Sequence, residues 1–170
     1  MNRLPGLAVA LAVFVIDQLV KYCVTGPLSI AQLGDVRRIA AIFDLRFVPN
    51  IGVSLGLLPA DGPTMRWLLV AMTGLIALGV AVWLARERNR YDLLALGLIL
   101  GGALGNIVDR IRFGYVVDFA DLHFGEFRPF LVFNVADAAI TIGVVVLLLR
   151  AFLVRDGAKV ERGPAPVETV

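Results

Sequence analysis

Cysteine, histidine and serine are almost missing from this chain. Its 170 residues hold one cysteine, Cys23, one histidine, His123, and two serines, Ser29 and Ser54. One cysteine excludes an intrachain disulfide. One histidine leaves a histidine-based zinc site short of ligands and makes a Ser-His pair barely available. Charge is scarce too, at 18% of residues with a net +2, and no basic run is interleaved with aromatics. Nothing there points to nucleic acid. The chain is instead 59% apolar before its 17 glycines are counted, against roughly 45–50% with glycine in soluble domains. That excludes a disordered chain, argues against a soluble domain, and makes lipid the natural solvent for most of the surface.

A bilayer-crossing helix needs about 20 largely apolar residues. Four stretches qualify, at about 4–24, 67–85, 91–111 and 129–149. Trp67 and Trp83, near the two ends of the second, read as interfacial anchors. The first stretch lacks a signal-peptide pattern: only Arg3 precedes it, and Asp17, Gln18 and Lys21 follow where a small-residue cleavage site belongs. The expected architecture is an all-α membrane bundle of four transmembrane helices, one integral membrane domain over 1–154. A disordered tail is expected over 155–170, where two prolines meet mixed charge.

The connections are unequal. About 25–64 separates the first two spans, too long to be structureless. Within it, Phe43-Asp44-Leu45-Arg46-Phe47 alternates with period two, a half-buried strand. Gly114 to Phe119 is a candidate for a second strand. Phe124, Phe127 and Phe130 suit a membrane-surface segment, and Asp121 reads as a loop acid. The loop Arg86-Glu87-Arg88-Asn89-Arg90 is short and basic. Short basic loops weigh most in the positive-inside rule, so both termini are expected in the cytoplasm.

Helix alternation then gathers the polar residues. Asp17 and Lys21 end the first span, Asn106, Asp109 and Arg110 end the third, and Asn134 and Asp137 begin the fourth. All fall at one membrane face, the outer one, where the loops holding Asn50 and Asp118 also open. Asp17/Lys21 and Asn106/Arg110 are spaced i,i+4 and Asn134/Asp137 i,i+3, so each pair is expected on one helix face. The ordinary reading of Asp17–Lys21 is an ion pair that ties the helix end. That of Asp109–Arg110–Arg112 is interfacial snorkelling. Asp137 has no basic residue within one turn, and intramembrane ionisable groups are costly and functional as a rule. Gly97, Gly101 and Gly105, every fourth residue, permit close helix approach.

Two carboxylates sharing a low-dielectric site share a proton, so one acts as base and the other as acid. Such a pair can activate water and protonate a leaving amine, with neither metal nor cofactor. Asp118 and Asp137 are the best placed. A proton-coupled transporter would also put acids in a bundle, and a structural membrane subunit would explain everything except Asp137.

Five ordered blocks narrow the choice: Asp17-Gln18-Leu19-Val20-Lys21, Asn50-Ile51-Gly52, Gly101-Gly102-Ala103-Leu104-Gly105-Asn106-Ile107-Val108-Asp109-Arg110, Gly114-Tyr115-Val116-Val117-Asp118-Phe119, and Phe133-Asn134-Val135-Ala136-Asp137-Ala138-Ala139-Ile140. In order and separation they resemble the lipoprotein signal peptidases, the signal peptidase II family. The resemblance implies a monomeric intramembrane aspartic endopeptidase of the bacterial inner membrane, with its site near the outer leaflet and a small extracytoplasmic β cradle. Its partners would be membrane lipids and prolipoproteins whose cysteine already carries diacylglycerol, cut just before that cysteine. Asp118 and Asp137 would be the catalytic dyad. Asn50 (in its block with Gly52), Asn106, Arg110 and Asn134 would orient dyad and substrate, with Asp17 and Lys21 in support. Val53, Ser54 and Leu55 depart from the family's two small residues and phenylalanine after Gly52, a difference expected to touch pocket shape rather than the reaction.

Overall fold

The structure is a computed structural model and describes residues 3–52 and 63–160. Its helices are α1 (Leu4–Thr25), α2 (Pro63–Arg86), α3 (Arg90–Phe113) and α4 (Val135–Val160), and its strands β1 (Val36–Ala40), β2 (Phe43–Asn50) and β3 (Val116–Leu122). All four helices are long and apolar enough to cross a membrane. The strands form one antiparallel sheet in the order β1-β2-β3.

The bundle is built around α3. Half of its spanning window is buried, against 11% for α2, so α3 is the post and the other helices lean on it. Small residues set the closest approaches. A β-carbon on Gly101 would collide with the Ala10 carbonyl of α1, and one on Gly102 would collide with the Ala136 carbonyl of α4. Both faces of α3 therefore seat a helix at backbone contact, where dispersion drives association in lipid. The expected role of the glycine series in packing holds. Local chemistry fixes the ends of α3. Asn89 accepts from Tyr91 N at 2.9 Å at the start, and Gly114, at φ +87°, closes the end in the left-handed conformation.

The sheet packs on the end of α1. Val24 and Ile30 share a core with Leu45, Phe47, Val117 and Phe119, which anchors β3 and hence the height of Asp118. Pro49 sits in the middle strand without a broken ladder. β1 pairs only from Phe43 to Arg46, so β2 has one neighbour at Pro49.

Several boundaries differ from the sequence reading. The first strand is β1, which the apolar alternation did not reveal because all five residues are exposed. The strand expected from Gly114 begins at Val116, because Gly114 is spent capping α3. The fourth helix begins at Val135 rather than 129: Phe133 pairs with Ala120 instead, its N–H donating to the Ala120 carbonyl at 3.1 Å. α4 also continues to Val160, past the expected boundary at 154, while 161–170 lie outside the described residues. So do Val53, Ser54 and Leu55. Asp121 is no loop acid but a fully buried residue of β3, 3.2 Å from Arg46 and 3.3 Å from Arg128. Phe124 and Phe127 face each other across a small bridge and, with Phe130, stand exposed.

Candidate active site

Asp118 lies on β3 diagonally across from Asn50 on β2, since Val48 is its direct partner. Asn50 Nδ2 donates to Asp118 Oδ2 at 2.9 Å. The other end of the Asn50 amide accepts from Gly52 N at 2.8 Å, a tight turn that Gly52 permits at φ +87°. From the opposite side Asn134 Nδ2 donates to Asp118 Oδ1 at 2.6 Å. Both oxygens of Asp118 are thus held by amides, and the residue is 2% exposed.

Asn134 and Asp137 do not share a helix face as their spacing suggested. Asn134 precedes α4 and caps it. Its Oδ1 accepts from Asp137 N at 2.9 Å, while its own N–H donates to Asp137 Oδ2 at 3.2 Å. This reciprocal arrangement is a capping box. It fixes the carboxylate of Asp137 at the N-terminus of α4, whose dipole favours negative charge. Asn134 therefore touches both acids.

Behind them runs a polar chain. Asn106 Nδ2 donates to Asp137 Oδ1 at 2.8 Å, and Asn106 Oδ1 accepts from Lys21 Nζ at 3.1 Å. Lys21 spends its remaining donors on Asp17 at 2.8 Å and Asp109 at 2.7 Å, all three side chains buried. Asp17 accepts from Ala136 N at 3.0 Å and so ties α1 to α4. Asp109 accepts from Val117 N at 3.1 Å and ties α3 to β3. The structure thus gives Lys21 two acids rather than one. Asp109 is 1% exposed, which overturns snorkelling for it. Gln18 is the further residue missed by spacing, donating to Asp109 Oδ1 at 2.9 Å. Both stand in the quoted blocks, but their partners lie 91 residues apart in sequence.

Arg110 is one turn beyond Asn106 on α3. Its guanidinium lies within electrostatic reach of Asp137, Asp118 and Asp109, and near Gly52. All nine residues named from the sequence, Asp17, Lys21, Asn50, Gly52, Asn106, Arg110, Asp118, Asn134 and Asp137, converge in one region.

Asp118 titrates unusually. Burial and, next, the charge of Asp137 push its carboxyl up to about 7, against the lowering effect of the Asn50 and Asn134 amides. The pair therefore holds a proton near neutrality, which an isolated carboxylate gives up well below it. Beside Asp137 opens a groove of about 320 Å³, walled by Leu122, Phe130, Leu131, Phe133 and Ile142, with Thr141 one turn along α4. The arrangement offers an acid, a base, fixed amide donors and an apolar trough. Among the described residues, no three His, Cys, Asp or Glu side chains are grouped to hold a metal ion.

Comparison with known proteins places the chain among its relatives. Residues 9–153 match the family described as signal peptidase (SPase) II. A lipoprotein signal peptidase of Sphingopyxis alaskensis is 54% identical over 153 residues, covering 90% of this chain and 88% of the relative. One from Rhizorhabdus wittichii is 54% identical over 156 residues, covering 92% and 90%. Among solved structures, a bacterial membrane enzyme determined by the in meso method at 2.3 Å resolution superposes with a TM-score of 0.74 at 26% identity, covering 96% of this chain and 94% of that one.

Proposed function

The chain belongs to the signal peptidase II family, and from that premise we propose that it removes signal peptides from diacylglyceryl-modified prolipoproteins, cutting just before the lipidated cysteine with water activated between Asp118 and Asp137. The observation that carries this reading is the pair itself: two acids bridged by Asn134, one of them retaining its proton to about 7.

Asp137, held as an anion acceptor at the start of α4, takes a proton from water. The hydroxyl adds to the scissile carbonyl carbon. Asp118, entering in its acid form, gives its proton toward the substrate, and collapse of the tetrahedral adduct delivers a proton to the departing amine. One water is consumed and the two carboxyls return to sharing one proton. Arg110 balances the negative charge around the pair as the adduct forms. Asn50, Asn106 and Asn134 hold the acids in place, and Asp17, Lys21 and Asp109 brace the helices that carry them. The groove beside Asp137 receives apolar substrate segments.

The enzyme works as a multi-pass protein of the bacterial inner membrane, both termini cytoplasmic and the dyad near the outer leaflet. Anchoring by diacylglycerol reduces the substrate's search to two dimensions. The transporter alternative calls for acids along a path through the bilayer, whereas α2 has no acid at all.

The test is Asp118→Asn and Asp137→Asn in purified protein, with a lipid-modified prolipoprotein followed by gel shift. Each should lose cleavage by at least about a thousandfold, and the double variant should be no worse, because the pair acts as a unit. Glu126→Gln, an exposed surface change, should stay active. Sustained turnover in either single variant, in preparations free of host peptidase, overturns the aspartic mechanism.

A further inference from the structure

The bundle end opposite the dyad contains a second cavity, of about 500 Å³, within the roughly 300–1,000 Å³ typical of small-molecule sites. Leu7 of α1, Ala81, Leu84 and Ala85 of α2 and Leu100 of α3 wall it, together with Arg3. It exists because α1 and α2 each pack on α3 rather than extensively on one another. The result is a furrow facing the membrane. Arg3 and Asp17 are fourteen residues apart, about 21 Å of helix, so the furrow is separate from the acids.

Its polar end is cationic. Arg86, Arg88 and Arg90 are exposed there, and among the described residues no ion pair engages them. The nearby acids are committed. Asp92 binds Arg150 at 2.5 Å. Glu87 accepts from the backbone N–H groups of Arg88 and Asn89 at 2.7 and 2.8 Å and from the Trp83 indole at 3.0 Å. Those backbone bonds hold the Glu87 carboxyl below its ordinary value, so it stays charged, and the three exposed arginines still outweigh it.

An apolar furrow open to lipid, ending in guanidinium groups, matches an acyl chain joined to an anionic headgroup. A zwitterionic headgroup would bring its own cation against the arginines. We propose that this furrow binds one anionic phospholipid, its chain along Leu7, Ala81, Leu84 and Leu100 and its phosphate against Arg3 and Arg86. The lipid supplies α2, the least buried helix, with a second neighbour.

The two tryptophans provide the readout. Trp67→Phe leaves Trp83, adjacent to Leu84, as the sole tryptophan. Detergent-solubilised Trp67→Phe protein is titrated with brominated phosphatidylglycerol, and separately with brominated phosphatidylcholine of the same chains, reading Trp83 quenching. Phosphatidylglycerol should half-quench at a several-fold lower mole fraction. Arg3→Gln and Arg86→Gln should each weaken that preference about fivefold, the effect of one cation near an anionic headgroup. Ala85→Phe, which keeps every charge but fills the furrow wall, should weaken phosphatidylglycerol binding as well. Equal quenching by the two lipids overturns the proposal. So does an Ala85→Phe protein that binds as before, which means diffuse surface charge without a furrow. Displacement of the brominated lipid by chainless glycerol phosphate overturns it too, since the site is then one for free phosphate.

Discussion

Asn50→Ala should move the alkaline limb of the cleavage profile upward. Asn50 Nδ2 donates to Asp118 Oδ2 at 2.9 Å, a bond that favours the charged carboxylate and so holds its pKa down. Removing it raises the pKa. A hydrogen bond to a charged group contributes about 1.5–3 kcal/mol, and each pKa unit corresponds to about 1.36 kcal/mol. The shift is therefore about 1–2 units, taking Asp118 from about 7 to about 8–9. Because the proposed acid works only while protonated, activity in the wild type should fall as pH rises through about 7, and in the variant only well above it. The measurement is kcat/KM against pH, which reports groups of the free enzyme, with both proteins in one detergent and one lipid-modified substrate. The plateau should also drop, since Gly52 loses the acceptor that shapes its turn, but a lower plateau does not move a limb. A limb that stays in place, or moves to lower pH, refutes the assignment of Asp118 as the proton-bearing member.

Lys21→Met should cost about 3–5 kcal/mol, because Asp17 and Asp109 are left buried without their shared cation. At about 2–4 °C per kcal/mol for chains of this size, melting should fall by about 6–20 °C, and Asp109→Asn in the same chain should recover part of it; an unchanged melting point contradicts the bridging role. Gly105→Ala places a β-carbon 2.5 Å from the Asp17 carboxylate and should destabilise by about 1–3 kcal/mol, whereas Gly74→Ala meets open space and should not; equal melting of the two variants would count against the close seat of α1 on α3. Reporter fusions at Asn89 should read cytoplasmic and one at Gly34 extracytoplasmic, and a cytoplasmic signal at Gly34 reverses the orientation.

The legible part of this protein was whatever lay in short windows of sequence. Runs of about 20 apolar residues mark a membrane span whatever surrounds them, because in lipid the backbone must satisfy its own hydrogen bonds. Alternation of apolar and charged residues from Phe43 to Phe47 revealed β2 for the same local reason, and β1 stayed hidden because neither of its faces is buried. Helix direction alone was enough to bring Asp17, Asn106 and Asp137 to one end. The order and spacing of five blocks carried the family.

Tertiary structure decided how those groups meet. The spacing of Asn134 and Asp137 fits a shared helix face and a capping box equally well. Only the pairing of Phe133 with Ala120, which stops the helix from starting earlier, selects the cap. Asp109 beside two arginines reads as an interfacial charge until Lys21, on another helix, is seen to reach it at 2.7 Å. The raised pKa of Asp118 has the same origin, for it depends on burial and on an acid from a separate element. Sequence pattern reports which residues prefer lipid, water or a turn. Charge pairing and desolvation depend on distances between segments far apart in the chain, and those distances exist only once α1, α4 and β3 have closed around α3.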